Sequence, residues 1–274
     1  MTGYVWVRTG RALAMVAVAG VVAVCAQQLK QLQEPLVFDV ASVKPTPPDE
    51  RRGVVHPVEA RGYEVLGAPL QAIMTVAYTV TDRQISGGPE WVNSDRWNIE
   101  AKAERRGTTD ELHDALARLL EDRFKLKLRH EKRELPCYIL TVDKKGPKMA
   151  QHDATDTAHE PIDGRFENGE LHQTGQNVPM SYFAFFLSRG LDRNVIDRTG
   201  LTDRYDVDYH YLPNLPNGGR GADGGPLMVN GQPIAMDGPD IFTALREQLG
   251  LRLEKGTGPV DFLVIEHVEK PSEN

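Results

Sequence analysis

The chain has 274 residues, 40% of them hydrophobic and 26% charged, with a formal net charge of -7. That is enough for one large domain or two small ones with real cores, and it excludes a disordered, fibrous or collagen-like protein. The first 26 residues hold Arg8 and Arg11 and no acid; the remainder carries 30 basic and 39 acidic residues, net -9, which argues against nucleic acid and anionic lipid as general partners.

Arg8 and Arg11 precede an apolar run, Ala12 to Ala26, broken only by Gly20, that ends Val24-Cys25-Ala26. This is the pattern of a secretory signal, with cleavage predicted after Ala26 and a periplasmic or extracellular destination. The run is short and alanine-rich for a membrane span, although a retained anchor is the competing reading. Val24 argues against lipid attachment at Cys25. With Cys25 removed, Cys137 stands alone in an apolar strand, a buried inert thiol.

Residues 27–36 read as a polar tether, and the folded part begins with a strand at Val37–Lys44, closed by Pro45, Pro47 and Pro48. Four amphipathic helices follow at i, i+3, i+4 spacing. Leu70, Ile73, Met74, Ala77 and Tyr78 form the first stripe, with Pro69 at the first helical position. Leu112, Ala115, Leu116, Leu119 and Leu120 form the second, with Thr108 and Glu111 as a capping box. Met180, Phe183, Ala184 and Leu187 follow Pro179. Ile241, Ala244, Leu245 and Leu249 run to a terminal cap at Gly250. Strands are expected at Trp97–Ala101, Phe124–Leu128, Tyr138–Val142, Tyr205–Tyr211, Leu251–Leu253 and Phe262–Ile265.

These elements repeat in order. Ala68-Pro69-Leu70 matches Val178-Pro179-Met180, and Asp95-Arg96-Trp97 matches Asp203-Arg204-Tyr205. Ala115-Leu116 matches Ala244-Leu245, Phe124-Lys125-Leu126 matches Leu251-Arg252-Leu253, and Tyr138-Ile139-Leu140 matches Phe262-Leu263-Val264. The expected fold is therefore α+β: two similar modules, 37–149 and 165–270, each a small mostly antiparallel sheet with two helices packed on one face. Residues 150–164 would be a linker. The stretch 213–238, with seven glycines and four prolines, would be a long loop in the second module.

Five segments carry a family resemblance: Phe38-Asp39-Val40-Ala41-Ser42-Val43-Lys44-Pro45, Asp122-Arg123-Phe124-Lys125-Leu126, Val195-Ile196-Asp197-Arg198-Thr199-Gly200-Leu201, Gln248-Leu249-Gly250-Leu251 and Lys270-Pro271-Ser272-Glu273-Asn274. Across nearly the whole mature chain they resemble the soil-associated exported protein family, an acidobacterial-type domain of unknown function. That resemblance implies export and, in some members, fusion to a membrane metallopeptidase of the antibiotic-sensor type; it implies no reaction. Each half is also similar in architecture to the short βαβ modules of secretins and TonB-dependent receptors.

One strand draws attention chemically. Asp206, Asp208 and His210 share a face because strand side chains alternate, and such ligands suit a divalent cation; the plainer reading is a solvated face opposite Tyr205, Val207, Tyr209 and Tyr211. Trp91 and Trp97 flank a turn-rich segment, so Trp91 is either a contact point or a cover for the sheet end. Asp197-Arg198-Thr199-Gly200 departs from the Asp-Thr-Gly of aspartic proteases by its inserted arginine and reads as a turn, as does Ser86-Gly87-Gly88-Pro89. Gly219, Gly221 and Gly224 have dinucleotide-fingerprint spacing without the strand and helix it needs.

No catalytic residue, metal or cofactor is assigned. The expected function is a non-catalytic binding, scaffold or sensory domain, with Trp91, Asp206, Asp208 and His210 as binding candidates. Its expected partner is another exported or membrane protein or a peptide, met at a sheet edge or inter-module groove. The alternative is a carboxylate- or metal-dependent hydrolase.

Overall fold

A computed structural model describes residues 34–47, 50, 52–153, 162–167, 169–213, 228–229, 232–233 and 238–272. The expected signal cleavage site, Cys25, the Gly219–Gly224 spacing and the centres of the expected linker and of the Gly/Pro-rich stretch lie outside these residues. Residues Phe38–Asn274 form one compact unit. Among the described residues no helix is long and apolar enough to cross a membrane.

The fold is α+β, with three four-stranded sheets and five helices. Strands β1 (Val40–Pro45), β2 (Val54–Val58), β3 (Gly62–Pro69) and β5 (Arg96–Lys102) make the first sheet, in the order β1-β5-β3-β2. Strands β7 (Gln151–His152), β8 (Asp163–Glu167), β9 (Glu170–Pro179) and β11 (Arg204–Tyr211) make another, in the order β7-β11-β9-β8. The third sheet was not expected from the sequence. Its centre is an antiparallel pair of β6 (Lys127–Val142) and β14 (Leu251–His267). The short β4 (Ile85–Gly87) lies parallel to β14, and the short β10 (Val195–Asp197) lies parallel to β6. A two-residue pair, β12 (Met228–Val229) with β13 (Gln232–Pro233), stands apart.

The predicted stripes are buried apart from Tyr78 and Ile241, which are half-buried. Helix α1 (Leu70–Ala77) buries Leu70, Ile73, Met74 and Ala77. After the one-turn α2 (Trp91–Ser94), helix α3 (Thr109–Arg123) buries Leu112, Ala115, Leu116, Leu119 and Leu120, opening on the Thr108–Glu111 capping box. Helix α4 (Met180–Gly190) buries Met180, Phe183, Ala184 and Leu187 against Tyr205, Val207 and Tyr209 of β11. Helix α5 (Ile241–Ala244) runs on into a single π turn, Leu245–Leu249. At roughly 1.5–3 kcal/mol for each large side chain taken out of water, these stripes are the main attachment of helix to sheet.

Three local expectations need correction. Pro69 and Pro179 are not the first helical residues: both are extended, with ψ of 153° and 145°, and act as N-caps that end β3 and β9. A proline's fixed φ suits a strand's last residue as well as a helix's first. Phe124–Leu128 is not one strand, because Phe124 closes α3 and Lys125 takes φ 51° before β6 starts at Lys127. The alternation there came from two buried side chains, Phe124 and Leu126, on either side of a left-handed cap. The charged run Arg129–Glu134 lies in β6, exposed or half-buried throughout. Leu251–Leu253 and Phe262–Ile265 are two ends of one strand, whose centre (Gly256, Gly258, Pro259) lacks strand-forming residues but is held by its partner.

The first sheet and the β7-β11-β9-β8 sheet share a local device. The register of β3 on β5 shifts between Val65 and Ala68, and that of β9 on β11 between Tyr205 and Val207. At these bulges Gly67 (φ 62°) and Asn177 (φ 54°) are left-handed. Gly67 N–H donates to Asn98 Oδ1 at 2.7 Å, and Asn177 N–H donates to Asp206 Oδ1 at 2.9 Å. Each bulge thus has its amide capped by a side chain of the facing strand.

Two measurements test these readings. Thr108→Ala removes the cap of α3 and is expected to lower unfolding stability by about 1 kcal/mol in urea titration. Gly250 sits at φ 68°, where a Cβ would strike the carbonyl oxygen of Gly146, whereas nothing lies within 4 Å of one at Gly190. Gly250→Ala should therefore cost more than about 1 kcal/mol, and Gly190→Ala should be neutral or stabilising by up to about 1 kcal/mol.

Candidate functional site

The site follows from how β8, β9 and β11 align. Thr174 of β9 lies opposite Asp163 of β8 and Asp208 of β11, and His172 lies opposite Arg165 and His210. Alternation sends the intervening Leu171, Gln173, Val207 and Tyr209 to the other side. There Gln173, Val207 and Tyr209 are buried, and Leu171 is half-buried. The solvent face is thus a grid of carboxylates, imidazoles, a hydroxyl and a guanidinium.

Hydrogen bonds tie the grid across strands. His152 Nε2 of β7 lies 2.9 Å from Asp206 Oδ1, and His172 Nε2 of β9 lies 2.7 Å from Asp208 Oδ1. His210 Nε2 is 3.7 Å from Glu170 Oε2, too far for a hydrogen bond but within ion-pair range. The His172 and His210 rings meet edge to face, 6.5 Å between centroids. Asp163, Thr174, Gln176, Asp206 and Asp208 line an open cleft of about 410 Å³.

Of the residues expected from the sequence, Asp206 and Asp208 share this cleft, while His210 stands one row away beside His172. Asp206 has a structural task as well: it caps the bulge at Asn177. Burial works against its ionisation, but the Asn177 N–H and the His152 ring outweigh it and hold the carboxyl below the ordinary carboxylate range. Trp91 lies elsewhere. Its ring stacks on Phe124 and meets Trp97 edge to face, and Lys270 Nζ sits 5.7 Å from its centroid, so it covers the end of the first sheet. Trp97 is fully packed against Phe124, 5.1 Å between centroids. Cys137 is buried, and burial pushes its thiol up.

The sequence did not point to His152, Asp163, Glu170, His172 or Thr174. The run holding three of them keeps Gln173 and Gly175 on its inner side, so β9 lacks the hydrophobic alternation that marks a strand. Among the described residues no group of three or more His, Cys, Asp or Glu is disposed to hold a metal ion. The geometry explains it, since His152 and His172 each turn one ring nitrogen to a separate carboxylate. What the face offers instead is fixed negative charge with orienting hydrogen-bond partners.

The turn expected at Asp197–Gly200 is present, whereas Ser86 and Gly87, also expected in a turn, are the last residues of β4. Asp197 Oδ1 accepts from Thr199 N–H and from its hydroxyl, both at 2.8 Å, and Gly200 is left-handed. Gly87 and Gly88 are left-handed too, with Gly87 pressed against the Ile265 carbonyl.

Asp206→Asn tests the carboxylate's share, because the amide oxygen of Asn98 makes the same cap in the first sheet. Asp206 is stabilising above the unfolded carboxylate value near 3.9 and loses that contribution as pH falls through its lower folded value. The variant should therefore fold, cost about 1 kcal/mol or less at pH 7, and converge with the parent below about pH 4 in thermal unfolding. The cost is small because both side chains of the His152–Asp206 pair are more than a third exposed and screened by solvent.

Comparison with known proteins adds one match. A family described as a protein of unknown function, DUF3738, matches residues 71–268, well over half of the chain. No curated protein and no solved structure matches. This chain belongs to the DUF3738 family of proteins of unknown function.

Proposed function

We propose that this protein is an exported, non-catalytic binding module made of two copies of one α+β unit, and that its recognition face is the polar grid on β8, β9 and β11. The observation that carries this reading is the cleft lined by Asp163, Asp206 and Asp208, three carboxylates with no lysine or arginine among the lining residues. Such a face suits ammonium or guanidinium groups of a peptide or of another exported or membrane protein.

Several features support two copies. The strand orders β1-β5-β3-β2 and β7-β11-β9-β8 correspond term by term in chain order. Pro69 opposite Arg96 corresponds to Pro179 opposite Arg204, and Ala68 opposite Trp97 to Val178 opposite Tyr205. The left-handed residues Lys125 and Gly250 each close a helix just before a long strand. This aligns Leu126 with Leu251, two residues away from the match read in the sequence. On the same alignment, the face of the first sheet that corresponds to the polar grid carries His56, Glu64 and Glu100, with Gly62 and Lys102 where His172 and His210 stand. Export rests on the Arg8/Arg11 and Ala12–Ala26 pattern, and placement among soil-associated members rests on the five motif segments.

Calorimetric titration with hexalysine and hexaglutamate at low ionic strength tests the ligand class. Hexalysine should bind, hexaglutamate should not, and Asp208→Asn should weaken hexalysine binding about threefold to fivefold. Glu104→Gln, neutralising an exposed carboxylate in the first half, should leave it unchanged. Equal binding of both peptides, or equal effects of the two substitutions, would refute the reading.

A further inference from the structure

Two imidazoles stand beside the carboxylates of the polar grid, and imidazole is the side chain whose ordinary change of charge falls between pH 5 and 8. His152 Nε2 lies 2.9 Å from Asp206 Oδ1, and His172 Nε2 lies 2.7 Å from Asp208 Oδ1. A carboxylate only accepts, so Nε2 carries the hydrogen in both rings. Nδ1 of each ring then has no hydrogen-bond partner among the described residues. Both rings are also open to water, with side-chain exposures of 38% and 31%. A proton added at Nδ1 therefore breaks no bond and sets a positive charge beside each carboxylate.

The groups around the rings decide what that charge does. From β8, Arg165 lies opposite His172, and Asp163 is one row on. From β11, His210 lies opposite it and Asp208 accepts from it. On its own strand Glu170 is one row back, 3.7 Å from the His210 ring. His152 lies on the outer strand β7, which adjoins β11 alone. There Asp206 accepts from its ring, and Asp153 follows it in the chain. Arg204, opposite in register, is buried and turns its guanidinium to Asp110 of α3, 3.7 Å away.

The cleft itself is lined by three carboxylates, Asp163, Asp206 and Asp208, and by no lysine or arginine. Burial works against ionisation of Asp206, but the Asn177 N–H and the His152 ring hold its carboxyl below the ordinary range, so it stays charged while the rings take up protons. With both rings neutral, a ligand cation meets three negative charges. With both protonated, two of these are matched at hydrogen-bond distance and one remains. To reach Asp206 or Asp208 a cation must then displace an imidazolium that the sheet already holds in place, whereas the ligand gives up its own freedom to bind. We propose that His152 and His172 gate the cleft: neutral rings leave it open to a cationic ligand, and protonated rings expel that ligand. The gate rests on the reading of this face as a cation-binding one.

The test is calorimetric titration of the full mature chain with N-acetylated hexalysine, whose lysines keep their charge from pH 8 to pH 5.5. At low ionic strength the dissociation constant should rise about fivefold at pH 5.5. His152→Gln with His172→Gln leaves a neutral donor facing each carboxylate, and its affinities at the two pH values should agree within twofold. His172→Gln alone should show a smaller loss than the parent, and serves if the double variant fails to fold. His130→Gln with His267→Gln removes two imidazole–carboxylate pairs of the central sheet and should keep the parent's full loss. Parent affinity that is equal at both pH values overturns the gate and leaves the cation-binding reading standing. A loss shared by the His152 and His172 variants also overturns it and assigns the effect to overall charge. No binding at pH 8 overturns the reading of the face and the gate with it.

Discussion

The pairing of β6 with β14 is the constraint on which the rest is hung. It runs from Leu251 opposite Val142 to His267 opposite Lys127, with one irregularity near the end. Each of the two strands follows directly on a helix closed by a left-handed residue, so α3 and α5 are aimed by where β6 and β14 begin. The buried residues of β6, Tyr138 and Leu140, pack in the same cluster as Phe183, Tyr209, Leu245 and Leu253. One strand from the first half is therefore part of the second half's core. A register slip of one residue along this seam would turn Tyr138 and Leu140, or else Leu253, to the wrong face.

The sequence showed what depends on local pattern. Helix stripes such as Leu112–Leu120 are legible because a 3.6-residue period needs no knowledge of the partner surface. The cap Thr108–Glu111 and the stop at Gly250 are legible because they answer to backbone groups within a few residues. The middle of β14 was not. Gly256, Gly258 and Pro259 have poor strand propensity, and they are extended because Cys137, Leu135 and Glu134 lie opposite. The third sheet was hidden for the same reason: a three-residue strand such as Val195–Asp197 has no signature apart from the strand that receives it.

The polar face divides along the same line. Asp206, Asp208 and His210 could be grouped because they belong to one alternating strand. Their partners could not, since His152 is 54 residues from Asp206, His172 is 36 from Asp208, and only the register brings them together. Trp91 could be read as a contact point or as a cover for the sheet end, and its place against Phe124 and Trp97, which makes it the cover, depends on how α3 ends. Asp206 illustrates a further limit. Its charge suggested a ligand, yet its nearest obligation is to the backbone at Asn177, a bulge that no local pattern announces.

The short strands β4 and β10 cross over: the one near the start of the chain is held by β14, and the one past its middle by β6. Taken singly, either half keeps a long ribbon with one flank bare and a stub with nowhere to lie. Each half of the chain thus lends a short strand to the long ribbon of the other. Because lender and borrower lie on one polypeptide, the exchange is intramolecular and independent of protein concentration.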